Sequence, residues 1–186
     1  MVLGDYKSAE NDLQTSLDIL TESVDGTVFY LLGVIYTITD RTEKAIESFE
    51  LALSLPLGID LIEDANNTLI DLVVDEGRPW FGKPICARDT DGDFDPDLLT
   101  TGFTTDDPFG YVEFPYQNMV EGTPWKYIWT SEDGIIYETA GKWDDSISGL
   151  HMTYFTAPSF GPGKWIYSLY LEDDLVRETE CWVDEP

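Results

Sequence analysis

The chain has 186 residues, and its 37 acidic against 10 basic side chains give a net charge of −27 and a pI near 4.1. This acidity argues against binding to nucleic acids or to anionic membrane surfaces, because both depend on clustered lysine and arginine. Hydrophobic residues make up 42% of the chain, which is enough for packed cores and argues against disorder.

Residues 1–76 have the pattern of amphipathic helices. Apolar side chains recur at spacings of three and four, and Pro56 is the only proline of this region. Glycine and proline at 77–79 then end the helical pattern, since a glycine followed by a proline stops a helix and stiffens a connection. We therefore expect a helical domain at 1–76, a linker at 77–83 and a second domain at 84–186.

A spaced motif lies within the helical region: Phe29-x-x-Leu32-Gly33-x-x-Tyr36, then Ala45-x-x-x-Phe49 and Pro56. It resembles the tetratricopeptide repeat, with phenylalanine in place of the leading tryptophan. The resemblance implies two antiparallel helices that approach closely at the small residues Gly33 and Ala45. The aromatic residues Phe29, Tyr36 and Phe49, together with Leu32, would fill the space around them. Asp40 or Thr42 is expected to cap the second helix.

The segments on either side extend this pattern. Residues 4–16 resemble the second helix of a preceding repeat, and 59–74 are expected to form a third, capping helix. Because repeats of this kind bury their faces only against neighbours, we expect the chain to be the C-terminal part of a longer protein or to pack against another subunit. The alternative is a plain helical cap on the second domain.

From residue 84 onward, short aromatic and β-branched runs alternate with turn residues. Strands are predicted at 84–88, 110–116, 125–131, 134–141, 149–156, 164–171 and 175–183. Seven short strands in about 100 residues are typical of an immunoglobulin-like sandwich. The closing stretch, Pro162-Gly163-Lys164-Trp165-x-Tyr167, resembles the last hairpin of bacterial immunoglobulin-like modules. The predicted fold is therefore α+β and multidomain.

Five alternating carboxylates follow the first predicted strand, and oxygen ligands at alternate positions around a glycine are how calcium loops are built. The segment begins like an EF-hand loop, but Phe94 and Thr100 stand where that loop needs glycine and glutamate. A looser calcium site and a solvated acidic turn both remain open. The candidate ligands are Asp89, Asp91, Asp93, Asp95 and Asp97.

The two cysteines fall in the first and last predicted strands of the sandwich. In immunoglobulin-like topologies these strands commonly run side by side, so the resemblance allows a bridge between Cys86 and Cys181. A bridge would imply an oxidising compartment, and two buried free thiols are the alternative.

The other candidate chemistry is sparse. Trp80 and Trp143, at strand ends, are the best candidates for sugar-stacking platforms, although core packing is the default for strand aromatics. His151 is the single histidine, and the chain has no nucleophile elbow, phosphate loop or zinc spacing. We therefore expect no catalytic residue and no cofactor, apart from the calcium considered above.

These observations predict a non-enzymatic scaffold that docks a partner chain, or a further copy, on its helices and uses the sandwich for assembly or adhesion. The alternatives are an accessory segment of a larger envelope enzyme, such as a protease, and a carbohydrate-binding module. An extracellular or envelope location is expected, with no signal peptide in this sequence. The longest apolar stretch, 28–38, is far shorter than the about 20 residues of a transmembrane helix. A saline habitat, dispersed calcium binding and a basic partner would each account for the acidity.

Overall fold

The structure, a computed structural model, describes residues 3–19, 26–74, 77–89, 96, 98–107, 109–134, 136–144, 146–156 and 160–185. The chain forms two compact units, Met1–Val73 and Val74–Pro186. The predicted border between 76 and 77 lies just beyond this division. The first unit contains the helices and the second contains the strands.

The first unit has four helices in the described part of the chain: α1 (Leu3–Ile19), α2 (Gly26–Ile38), α3 (Thr42–Leu53) and α4 (Ile59–Leu72). Helices α2 and α3 form a hairpin, α1 packs against α2, and α4 packs against α3. The third helix predicted at 59–74 is therefore confirmed, and it ends two residues early.

Small residues decide how closely the hairpin packs. A Cβ atom at Gly33 would lie 2.8 Å from the Phe49 ring, and one at Gly26 would lie 2.5 Å from the Ala52 carbonyl oxygen. Ala45 and Ala52 are fully buried on the facing helix. Close approach at these positions lets the aromatic side chains fill the remaining space at the density of a protein interior.

The turn between α2 and α3 differs from the predicted cap. Arg41 is the N-cap residue of α3 and makes no side-chain capping hydrogen bond, while Asp40 adopts a positive φ of 55°. Backbone hydrogen bonds close the turn instead: the Arg41 N–H donates to the Tyr36 carbonyl oxygen at 2.9 Å. The prediction of Asp40 or Thr42 as the cap is wrong because the left-handed residue already reverses the chain.

The second unit is built from two five-stranded sheets. The strands in chain order are β1 (Trp80–Phe81), β2 (Ile85–Asp89), β3 (Leu98–Thr100), β4 (Gly102–Thr104), β5 (Phe109–Gln117), β6 (Pro124–Ser131), β7 (Ile136–Lys142), β8 (Gly149–Phe155), β9 (Gly163–Leu171) and β10 (Asp174–Asp184). All seven predicted strands are confirmed to within two residues at each end. Three very short strands, β1, β3 and β4, were not predicted, since two or three residues are too few for a visible alternation.

The first sheet is centred on β5. Strands β1 and β2 pair with one side of β5 and β8 pairs with the other, because Val112 faces both Cys86 and Thr153 and Tyr116 faces both Phe81 and Gly149. Strand β3 continues the sheet beyond β2. The second sheet has the order β4-β10-β9-β6-β7, in which β4 and β10 run parallel. Within the described residues, five strands have a single partner strand and so lie at sheet edges: β1, β3 and β8 in the first sheet, and β4 and β7 in the second.

Inward-facing side chains of both sheets form one core. The core includes Val112, Phe114 and Tyr116 from β5 and Trp165, Tyr167 and Leu169 from β9. Alternate residues of these strands point inward, which is the pattern of a two-sheet sandwich. The second unit is thus the antiparallel immunoglobulin-like sandwich expected from the sequence, with β4 added in parallel.

Candidate functional site

The residues predicted to pack the helical repeat lie together in the α2–α3 hairpin. Leu32, Gly33, Tyr36, Ala45 and Phe49 are buried, and Phe29 is half-buried. Tyr30 adds an edge-on contact with Phe49, the ring centroids being 5.8 Å apart. These side chains hold the hairpin together, so their role is structural.

A polar cluster joins α1 to the hairpin turn. The Arg41 guanidinium donates two hydrogen bonds of 2.9 Å to the two carboxylate oxygens of Glu10, and it lies 4.4 Å from the centre of the Tyr36 ring. The Gln14 amide donates to the Tyr36 hydroxyl oxygen at 3.3 Å. The hydrogen bonds from Arg41 lower the pKa of the Glu10 carboxyl. A bidentate ion pair of this kind fixes the orientation of α1 more firmly than a single hydrogen bond would.

A second polar contact joins α2 to α4. The Tyr30 hydroxyl donates a hydrogen bond of 2.5 Å to an Asp64 carboxylate oxygen. Burial raises the pKa of Tyr30 to about 12, and the hydrogen bond to Asp64 acts in the same direction. This contact holds α4 against the hairpin.

The side of α2 that carries Leu31 and Ile38 is apolar and exposed to solvent. Helix α2 contains no charged residue, although a quarter of the whole chain is charged. Leu31 and Ile38 are seven positions apart, hence on one side of the helix, and are 41% and 49% exposed. This surface was not predicted from the sequence, although the absence of charged residues in 26–38 is a signal for it.

The acidic segment after β2 is described only at its first ligand position. Asp89 ends β2 and is fully buried, with the Tyr111 hydroxyl 3.4 Å from its carboxylate. Asp91, Asp93, Asp95 and Asp97 lie outside the described residues. Within the described residues, no group of three histidine, cysteine, aspartate or glutamate side chains is placed to hold a metal ion. Calcium binding by this segment stays a prediction.

The two tryptophans proposed as sugar platforms are inside the protein. Trp80 is 6% exposed and Trp143 is 3% exposed. The Trp143 ring packs edge-on against Tyr116 and Phe81, with centroids 4.6 and 5.9 Å away. The prediction of free ring faces at these positions is wrong, because flanking a strand end does not expose a side chain that turns into the core.

His151 lies half-buried among aromatic rings. Its ring centre is 5.1 Å from that of Trp143, 5.3 Å from that of Phe114 and 6.2 Å from that of Trp125. This surrounding is consistent with the expected structural role of the single histidine.

An open cavity of about 350 Å³ lies at the Pro124 end of β6. Three of its lining residues are charged, and one of them, Lys126, is paired with Asp173 at 2.9 Å. The lining residues, none of which is a serine, cysteine or histidine, are Pro124, Trp125, Lys126, Ala140, Gly141, Glu172 and Asp173.

A disulfide joins the two sheets. Cys86 of β2 and Cys181 of β10 are bonded, with their Cα atoms 6.1 Å apart, and both are buried in the core. This pairing is the one the sequence allowed. Because such bonds persist in oxidising surroundings, it indicates an extracytoplasmic compartment.

Among the described residues, the helices are all too short or too polar to cross a bilayer.

Two of the comparisons with known proteins gave a match. Residues 26–56, the α2–α3 hairpin, match the family model of the tetratricopeptide repeat. The chain is similar to the crystal structure of an immunoglobulin-like protein from Pseudomonas aeruginosa, with 16% identity and a TM-score of 0.43 over 57% of this chain and 96% of that one. No curated protein matches the sequence.

Proposed function

We propose that this protein is a non-enzymatic interaction subunit in which the tetratricopeptide-type helices dock a partner protein. In this proposal the sandwich mediates assembly or adhesion at the cell exterior. The tetratricopeptide match supports an interaction role, since stacked helical repeats present extended binding surfaces.

The observation that carries the proposal is the exposed apolar side of α2. Leu31 and Ile38 leave hydrophobic surface in water on a helix without any charge, in a protein of net charge −27. Contiguous apolar surface is a common binding site for another protein, and we propose that these two side chains belong to one. A partner would bury it and recover the free energy that the exposed side chains cost the isolated chain.

The disulfide supports the proposed location. A disulfide between the two sheets persists in oxidising surroundings, as a domain outside the reducing cytosol requires. The same location suits the alternative of an accessory segment in a larger envelope enzyme. The carbohydrate alternative loses its support, because Trp80 and Trp143 are buried.

Site-specific photo-cross-linking in the native host tests the docking proposal. A photoreactive amino acid at Leu31 should capture one defined partner, whereas the same group at Glu47, which is exposed on α3, should not. Equal labelling from both positions would mean non-specific capture. No adduct from Leu31 would remove α2 as the docking surface.

A further inference from the structure

The edge strands of the sandwich are protected unequally. Strand β1 has two residues and strands β3 and β4 have three each, which leaves little edge to pair with. Strand β7 is longer but carries Glu138 and Lys142. Short length and charge are the usual devices that keep another strand from adding to a sheet edge. Strand β8 has neither of them.

Strand β8 is a regular, uncharged edge of seven residues. It pairs continuously with β5 from Gly149 to Phe155, without a bulge, and β5 is its only strand neighbour in the described part of the chain. The strand contains no proline, lysine, arginine, aspartate or glutamate. Its outer backbone edge is therefore a template on which an extended segment can form a further ladder of hydrogen bonds.

The outward side chains of β8 form an apolar row. Leu150, Met152 and Tyr154 occupy alternate positions and are 55%, 45% and 64% exposed. Val120 and Ile147 extend this surface, since the Met119 N–H donates to the Ile147 carbonyl oxygen at 2.9 Å. Five of the thirteen large hydrophobic side chains that are exposed within the described residues thus lie here: Val120, Ile147, Leu150, Met152 and Tyr154. We call these five residues together with the edge of β8 the β8 surface.

The charge around the β8 surface determines which kind of segment can bind there. Glu113 lies opposite Met152 on β5, and Asp144 is exposed before the loop that leads into β8. A second copy of the chain would bring another net charge of −27 to this edge, which opposes pairing between copies. A segment with lysine or arginine would instead be attracted to it.

We propose that β8 accepts an extended, basic segment of a partner protein as an additional strand of the first sheet. Apolar side chains at alternate positions of that segment lie beside Leu150, Met152 and Tyr154, and its basic residues face the surrounding carboxylates. This inference rests on the proposed interaction role and assigns the sandwich a binding mode separate from the α2 surface.

A synthetic peptide tests the proposal on the full chain. The probe has about nine alternating valine and lysine residues, enough to run along the whole of β8. Fluorescence anisotropy should show binding, and hydrogen exchange should slow at the β8 amides. A peptide of the same sequence that is N-methylated at alternate residues keeps charge and apolarity but lacks ladder donors, and it should not bind. Equal binding of the methylated peptide would show charge attraction alone and overturn the proposal.

Matched variants locate the site. Met152→Lys should weaken peptide binding at least about tenfold, because a lysine on an edge strand blocks strand addition. Ile136→Lys makes the same charge change at an exposed position of β7 and should leave binding unchanged. Circular dichroism verifies that both variants fold. Equal weakening by the two variants contradicts the assignment, as does a β8-dependent dimer of the free chain in sedimentation.

The two proposals fail separately. Leu31→Glu removes the apolar α2 surface and should leave peptide binding at β8 intact, whereas Met152→Lys should leave cross-linking from α2 intact. Loss of peptide binding in Leu31→Glu would show that β8 is not an independent site.

Discussion

At the residue scale, the missing side chain of Gly33 decides how closely α2 and α3 pack. Replacement by alanine puts a methyl group 2.8 Å from the ring of fully buried Phe49, so the ring or the helix backbone must shift. The gain in helix propensity, about 1 kcal/mol, offsets part of the strain. We expect Gly33→Ala to lower the free energy of unfolding by about 1–2 kcal/mol, measured by denaturant titration.

The matched control for this change is Gly58→Ala. Gly58 is the N-cap residue of α4, and a Cβ atom there would meet nothing within 4 Å. Alanine is a poorer N-cap residue than glycine, and we expect this to lower the free energy of unfolding by about 0.5 kcal/mol or less. Equal losses from the two variants would show that the Gly33 contact does not limit the packing.

Burial of Tyr30 and its hydrogen bond to Asp64 predict that the stability of the fold depends on pH in the alkaline range. Because the pKa of Tyr30 is raised to about 12 in the folded chain, the folded state binds its proton more tightly than the unfolded state does. The resulting stabilisation is complete below the ordinary tyrosine pKa of 10.0 and is lost as the pH rises from there towards 12. Thermal unfolding of Tyr30→Phe should therefore show a shallower fall in stability over this range. Parallel curves for the two proteins would contradict the raised pKa.

At the scale of elements, the disulfide determines how firmly the two sheets are held. It links β2 to β10 across a sequence separation of 95 residues. Closing so long a loop restricts the unfolded chain and stabilises the fold by about 4–5 kcal/mol in the loop-entropy model. The double variant Cys86→Ser, Cys181→Ser should lose about that much in denaturant unfolding. Reductant should lower the stability of the parent protein to that of the variant and leave the variant unchanged.

Helices and strands could be predicted from the sequence where their pattern of apolar residues was long enough to show a period. The alternation of Trp165, Tyr167 and Leu169 was long enough to mark β9, and the spacing of Gly33 and Phe49 marked the hairpin. The two residues of β1 and the three each of β3 and β4 carry no period, and their pairing depends on neighbours distant in the chain.

The candidate surfaces were harder to predict than the fold. Burial of Trp80 and Trp143 and exposure of Leu31 and Met152 depend on which side of an element meets a neighbour, which periodicity alone does not decide. The row at Leu150, Met152 and Tyr154 was visible as an alternation, but only the sheet order shows that β8 is an edge.

At the scale of the whole molecule, the net charge of −27 opposes compaction. We expect the melting temperature to rise with added NaCl, because salt screens the repulsion between carboxylates. Millimolar CaCl₂ should raise it more steeply, and Asp91→Asn with Asp93→Asn should remove the additional increment if the acidic segment binds the ion. A melting temperature indifferent to both salts would mean that the charge is not a determinant of stability.

The central claim is that the protein acts by binding a partner through the apolar side of α2. The most direct measurement is the dissociation constant of the partner captured from Leu31, determined by calorimetry for the parent chain and for Leu31→Glu with Ile38→Glu. The account predicts a loss of affinity of at least about a hundredfold, since two apolar contacts become buried charges. An unchanged dissociation constant in this folded double variant would contradict it.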